Sequence, residues 1–203
     1  HDVRWNLSAQ RNLNARYGLW GAASGQHYVD RPRNDAFSFA QEKYFTRNGV
    51  ITFTSEAPVE KIVSPNDEVN IILDPQKSTI GFKVVMKSFG FEKQAMKEHF
   101  NSTYLHTDQY PNATFEGTIS NIPDYKKKGS YTVTVTGNLT IHGVTKNIKQ
   151  TGKVTIEDQK ITVSSKFNIN LKDYNVKIPS NYVSKISEII NIQVNGVLTP
   201  YQR

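Results

Sequence analysis

The chain has 203 residues, of which 21% are charged and 37% apolar, an ordinary balance for a globular protein of one domain or one domain with an appendage. Cysteine is absent, which excludes disulfides and thiolate metal sites, and no apolar run approaches the ~18 residues that a membrane-spanning helix needs. The formal charge of +7 is scattered and not gathered on a face with aromatic side chains, so neither a nucleic-acid partner nor an integral membrane segment is predicted.

The composition changes abruptly near residue 35. No lysine precedes Lys43, whereas both tryptophans and most of the arginines lie before residue 34. Ser38 and Ala40 match the small residues preferred before a signal-peptidase cleavage site. We therefore divide the chain into residues 1–40, a leader, a fusion or an irregular N-terminal segment, and residues 41–203, the folded domain. In one hypothesis residues 1–35 are foreign or altered and an exported mature protein begins near Gln41; in the alternative they form a native arm that packs on the domain.

The first part of the domain predicts strands separated by turns. Turn signals stand at Asn48-Gly49 and at Asp74-Pro75. Residues 79–87 alternate, with Ile80 and Phe82 beginning an apolar face, and a period of two is typical of a half-buried strand. The predicted strands here are residues 50–54, 69–73 and 79–87.

Residues 92–100 break this pattern. Apolar residues recur at helical spacing around Ala95, Met96 and Phe100, which predicts one short helix over an end or flank of the domain. Alternating segments then resume, with a tight turn at His142-Gly143. These later strands are predicted at residues 112–120, 131–141, 146–156, 160–169 and 187–198.

Eight strands with short turns indicate a sandwich or a barrel. We prefer an antiparallel barrel, because the strands are long and closure removes their exposed edges. A barrel of eight strands has an interior that side chains fill or that holds one small ligand.

One motif supports a specific family. The run Thr136-Gly137-Asn138-Leu139-Thr140-Ile141-His142-Gly143-Val144-Thr145-Lys146 resembles the signature of the YceI-like family, although Asn138 stands where that family commonly has an acidic residue. Two other segments, residues 100–117 and 167–176, resemble the same family in the right order. The resemblance covers roughly residues 43–199. It implies an extended lipocalin-like barrel of eight antiparallel strands, export to the bacterial periplasm and, in some members, a polyisoprenoid chain bound inside the barrel.

If this implied ligand is correct, its chain needs a dry tunnel of apolar side chains, because affinity comes from removing apolar surface from water. Ordinary core packing is the alternative for each residue, and we expect about half of the set to touch a ligand. The predicted ligand-binding residues are Phe82, Val84, Met86, Phe89, Phe91, Met96, Phe115, Val133, Val135, Phe167 and Ile169.

The polar residues indicate no catalytic site. The five histidines lack metal-ligand spacing, and neither a nucleophile elbow nor a phosphate-binding loop is present. His142 either contacts a ligand headgroup at the barrel mouth or bonds to backbone groups and holds its turn, and we favour the second. Gly143 is expected to take a positive φ there.

The sequence thus predicts a non-enzymatic periplasmic protein that binds or carries an isoprenoid-type lipid, without a cofactor or a metal. The alternative is a structural or interaction barrel without a ligand. An accessory that uses a bound quinone is less favoured. A homodimer is one option for an oligomeric state that the sequence leaves open.

Overall fold

The computed structural model describes residues 43–121 and 123–201, and within them eight antiparallel strands close into a barrel. Each strand pairs with the next one along the chain, and β8 pairs back with β1. The fold class predicted from the sequence is confirmed. The strands are β1 (Tyr44–Glu56), β2 (Lys61–Asp74), β3 (Thr79–Val85), β4 (Asn112–Ser120), β5 (Gly129–Ile141), β6 (Val144–Glu157), β7 (Lys160–Asn170) and β8 (Ile189–Pro200).

The connections define two different ends of the barrel. The end that we call the helix end carries the β1–β2 hairpin, the β3–β4 connection, the β5–β6 turn and the β7–β8 connection. The β3–β4 connection contains a 3-10 turn, Met86–Ser88, then α1 (Gln94–His99), then a π-helical turn, Phe100–Tyr104. The opposite end, the terminal end, holds Lys43 and Tyr201, which are joined by a backbone hydrogen bond of 2.7 Å. One short α-helix therefore lies over a barrel end, as predicted.

The strands β1 and β2 are longer than the predicted strands at residues 50–54 and 69–73. The prediction of a turn at Asn48-Gly49 is wrong, because Gly49 lies inside β1. The register with β2 shifts on both sides of Gly49, so these two residues are part of a β-bulge. Pro65 lies inside β2, opposite Thr52. Because β3 pairs with β2 only from Val69 onward, no neighbouring strand requires a backbone N–H from Pro65.

The β5–β6 turn has the predicted geometry. His142 and Gly143 have φ values of 51° and 73°, and a two-residue hairpin with both central residues at positive φ matches the right-handed twist of the strands. The predicted third strand, by contrast, ends at Val85 and not at residue 87, because the chain turns at Met86.

The proposed leader, residues 1–40, and its junction lie outside the described residues, so both hypotheses for that segment stay predictions. Within the described part of the chain, no helix is both long and apolar enough to cross a membrane.

Candidate functional site

The barrel encloses a cavity of about 470 Å³ in the half nearer the helix end. All eight strands contribute inward-facing side chains, which alternate with outward-facing ones as the pleat requires. The volume is about three times that of the ~150 Å³ apolar cavities that stay dry and bind molecules such as benzene. It also lies within the range of roughly 300–1,000 Å³ that is common for small-molecule sites.

All of the predicted ligand-binding residues lie on the cavity wall. Phe82 and Val84 face inward from β3, Phe115 from β4, and Val133 and Val135 from β5. The remaining members come from the β3–β4 connection and from β7: Met86, Phe89, Phe91, Met96, Phe167 and Ile169. The expectation that half of the set would touch a ligand stays a prediction, since a place on the wall is not itself a contact with a ligand.

Four phenylalanines close much of the cavity at the helix end. Phe53 from β1 lies 5.2 Å, 5.9 Å and 5.6 Å, centroid to centroid, from the rings of Phe89, Phe91 and Phe100. Such distances are those of favourable aromatic pairs. The prediction missed Phe53 and Phe100. The alternation of Ile51, Phe53 and Ser55 within β1 was the available signal for Phe53.

Other wall residues were missed in the second half of the chain. Ile190, Ile192 and Val194 alternate in β8, and Leu139 and Ile141 continue the inward face of β5 beyond Val135. Each follows the period of two that found the predicted residues, so extending that pattern over whole strands would have found them.

Three buried polar side chains of β1 and β2, Ser55, Ser64 and Asn66, are bonded to the backbone and serve the fold. Asn66 Nδ2 donates to the Val85 carbonyl at 2.8 Å, and the Ser64 hydroxyl donates to the Gly90 carbonyl at 2.6 Å. Ser55 Oγ, on the cavity wall, accepts from the Ser187 amide at 2.9 Å. These bonds tie the hairpin and loops of the helix end to the strands, and they leave the wall apolar.

The ionisable side chains on the cavity wall include one half-buried carboxylate, Glu60, in the β1–β2 hairpin. Burial, and then the nearby Tyr182, raise the pKa of Tyr104, so this wall hydroxyl stays protonated at neutral pH. The lysines on the wall, Lys93, Lys153 and Lys185, are exposed. Within residues 43–121 and 123–201 no group of three or more His, Asp or Glu side chains has a geometry that could hold a metal ion.

His142 has part of the structural role that the sequence favoured, because one ring nitrogen bonds to the backbone whereas Nε2 is buried without a hydrogen-bond partner among the described residues. Its Nδ1 donates to the Tyr174 carbonyl at 3.1 Å, which joins the β5–β6 turn to the 3-10 turn Leu171–Tyr174 after β7. Its ring also packs against His106 and Tyr110, at centroid distances of 5.4 Å and 4.8 Å. The turn is thereby fixed from two sides.

A closed, antiparallel eight-stranded barrel with a large apolar interior defines the protein as a lipocalin-like barrel. The model of the YceI-like domain matches residues 41–198, and the chain belongs to this family. A UPF0312 protein of Yersinia enterocolitica is 26% identical over 85% of this chain and 82% of its own length. A UPF0312 protein of Yersinia pestis is 25% identical over the same shares.

Solved structures share the fold. A polyisoprenoid binding domain from Saccharophagus degradans superposes with a TM-score of 0.70 at 14% identity, over 79% of this chain and 99% of that one. Burkholderia cenocepacia BcnA has a TM-score of 0.62 at 18% identity, over 74% of this chain and 96% of its own. At these identities the likeness establishes the barrel and not the ligand.

Proposed function

We propose that the protein binds an isoprenoid-type lipid in the barrel cavity and acts as a non-enzymatic carrier or sequestering protein in the bacterial periplasm. The observation that carries the proposal is the cavity of about 470 Å³, whose inner wall is built from phenylalanine and aliphatic side chains. Burying one five-carbon isoprene unit contributes roughly 4 kcal/mol at about 0.8 kcal/mol per carbon, so a chain of a few units suffices for tight binding.

The wall composition suits a branched apolar chain. Phenylalanine rings from β3, β4 and β7 (Phe82, Phe115 and Phe167) offer flat surfaces to methyl branches, and Met86 and Met96 adapt to an irregular outline. The related Saccharophagus degradans structure is that of a polyisoprenoid binding domain, which supports the same ligand class here. The periplasmic location rests on the family resemblance.

The bound molecule is to be identified from protein purified out of its native source. Organic extraction followed by mass spectrometry should release a long apolar molecule with isoprenoid fragmentation. Extraction of an equal amount of a cysteine-free protein without a cavity provides the background. Extracts that match this background would contradict lipid binding, and recovery of the protein with the cytoplasmic fraction would contradict the periplasmic location.

A wall substitution tests whether the cavity is the site. Val135→Thr keeps nearly the same side-chain volume but places a hydroxyl on the wall, and we expect about a tenfold loss of affinity for geranylgeraniol, since burying an unpaired hydroxyl costs about 1–3 kcal/mol. Val197→Thr is the matched control, because Val197 lies in β8 with 52% of its surface exposed. Equal effects of the two substitutions on affinity would place the ligand elsewhere.

A further inference from the structure

The barrel wall is not closed between β6 and β7 along their whole length. Their ladder runs from the pair Glu157–Lys160 to the pair Gly152–Ser165 and goes no further. Beyond it, residues 144–151 of β6 stay paired with β5, and residues 166–170 of β7 stay paired with β8. The two strands therefore part toward the helix end, and each presents an edge without a ladder partner.

The opening is bounded on all sides. At its base, Ser165 Oγ donates to the Thr151 carbonyl at 2.8 Å, where the ladder stops. At its top, His142 Nδ1 donates to the Tyr174 carbonyl at 3.1 Å and joins the β5–β6 turn to the chain that follows β7. We call this opening, with residues 144–151 on one side and 166–170 on the other, the side window.

Burial along the inner face of β6 falls toward the side window. Val154 and Ile156, in the paired part, are 2% and 5% exposed. Ile148 and Gln150, which also border the empty cavity, are only half-buried. Lys146, by contrast, is exposed although it stands at an inward position, which indicates that the neighbouring wall is missing there.

The side window connects the cavity with a second, outer pocket. Ile148, Gln150, Phe167 and Ile169 line the large cavity and also a pocket of about 260 Å³ that lies over the window. The outer pocket is otherwise polar, with Lys146, Asn147, Asn168 and Asn170 on its rim and Asp173 as its single carboxylate. Donor groups next to an apolar passage suit the polar end of an amphiphile.

Gln150 strengthens this assignment. Its side chain is half-buried, faces inward, and lines both the cavity and the outer pocket. A hydroxyl or phosphate at the end of an apolar chain would accept a hydrogen bond from this amide.

The helix end offers a second route, since the exposed residues Lys93, His99 and Lys185 also line the cavity there. A chain that entered by this route would pass the cluster of Phe53, Phe89, Phe91 and Phe100, whose closest ring centroids are 5.0 Å apart. Passage through the side window breaks no strand ladder, because none joins the two edges. Only side chains have to move.

We infer that the side window is the passage by which an amphiphilic lipid enters and leaves the cavity, with its apolar chain inside and its hydrogen-bond-accepting end held at the window rim. This inference rests on the proposed function, since it requires that the cavity binds such a lipid.

Linking the two window edges tests the passage. The chain has no cysteine, so Lys149→Cys with Asn168→Cys introduces a single pair of thiols, both at exposed positions on opposite edges. The full-length variant is loaded with radiolabelled geranylgeraniol, linked with a flexible bis-maleimide, and checked for complete linkage by intact mass. Release into excess phosphatidylcholine vesicles should then be at least tenfold slower than before linkage.

Thr155→Cys with Thr162→Cys is the matched control, because these residues are partners in the intact ladder. Linking them should change the release rate less than twofold. Equal release before and after linkage at the window would overturn the passage while leaving lipid binding intact. Failure of the unlinked protein to bind geranylgeraniol would instead overturn the proposed function.

Single labels compare the two routes directly and do not depend on linkage. Asn168→Cys places a thiol at the window rim, and Lys93→Cys places one at the helix end of the cavity, both exposed. A bulky maleimide at position 168 should slow release several-fold, and the same label at position 93 should not. The reverse order would assign the passage to the helix end.

The polar end is tested with Gln150→Leu. Affinity for geranylgeraniol should fall several-fold, whereas affinity for squalene, which has no polar end, should stay the same or rise. Equal changes for the two lipids would show that the rim does not bind the end group.

Discussion

The two halves of the barrel interior use apolar side chains in different ways. Near the terminal end, Leu73, Ile161 and Leu198 are 0–1% exposed and none of them lies on the cavity wall. Nearer the helix end, Phe82, Phe115 and Phe167 are only partly buried and surround empty space. We call the half near the terminal end, whose interior is packed with side chains, the solid half. The half nearer the helix end, which surrounds the cavity, is the hollow half, although the same strands build both.

Packing explains how the solid half fills. Ile71 is fully buried, and a Cβ at Gly49 or Gly196 would collide with its side chain. The two glycines thus leave room for one isoleucine between β1 and β8. A packed interior of this kind stabilises the fold, whereas the other half leaves part of its interior unfilled.

The largest expected effect comes from a leucine-to-alanine substitution, made once in each half and compared between them. Leu73→Ala, in the solid half, should lower the free energy of unfolding by about 2–5 kcal/mol, because a new cavity forms in packed surroundings. Leu139→Ala, on the wall of the existing cavity, should lower it by less than about 2 kcal/mol. Urea unfolding of the ligand-free proteins, followed by circular dichroism, measures both. Equal losses would mean that the hollow half is filled in solution.

A second substitution tests the wall of the hollow half. Gly137 in β5 lies opposite Gly117 in β4, and a Cβ at Gly137 would overlap the Glu116 carbonyl oxygen and the Gly117 Cα, both backbone atoms. The Phe115 ring in turn lies over Gly117 and reaches into the cavity. The glycine pair thus allows a close approach of β4 and β5 that sets this ring in place.

Gly137→Ala should therefore lower the free energy of unfolding by about 1–3 kcal/mol and weaken geranylgeraniol binding as well. Gly90→Ala is the control, because a Cβ there has its nearest neighbour at 3.6 Å, an ordinary contact. If Gly137→Ala were as mild as Gly90→Ala, the strands would have room to separate and this part of the wall would not be rigid.

The strand alternation predicted which strand side chains face inward, and the predicted ligand-binding residues of β3, β4, β5 and β7 all lie on the cavity wall. It could not predict whether opposite side chains meet across the barrel, because that depends on the sizes of residues far apart in sequence, such as Leu73 and Leu198. The contrast between the solid and hollow halves was therefore missed.

The alternation of apolar residues could not predict the side window either. Residues 146–156 and 160–169 were predicted as one complete hairpin, and only the relative direction of the two strands shows that it opens. A weak signal existed, since Lys146, Gln150 and Ser165 interrupt the apolar inner faces of β6 and β7. In a barrel, polar residues at inward positions indicate an opening or a bound polar group.

The smallest expected effect concerns a tyrosine in each half. Burial, and then the charge of nearby Tyr44, raise the pKa of Tyr125 in the solid half to about 12. The pKa of Tyr104 in the hollow half is raised less. Between about pH 10 and 12 the unfolded chain ionises this tyrosine while the folded protein keeps Tyr125 protonated. In this pH window the ionisation favours the unfolded state. The contribution of Tyr125 to the free energy of unfolding is therefore complete below pH 10 and is lost as the pH rises toward 12.

Tyr125→Phe should remove part of this loss, so that the free energy of unfolding falls less steeply above pH 10 than in the unsubstituted protein. Below pH 9 we expect a change of less than about 1 kcal/mol, because the Tyr125 hydroxyl is buried without a hydrogen-bond partner among the described residues. Tyr104→Phe is the matched substitution in the hollow half and should change the slope less. Urea unfolding at a series of pH values measures all three proteins. An unchanged slope in Tyr125→Phe would mean that water reaches the solid half, because only hydration of that hydroxyl would let it ionise as easily in the folded protein as in the unfolded chain.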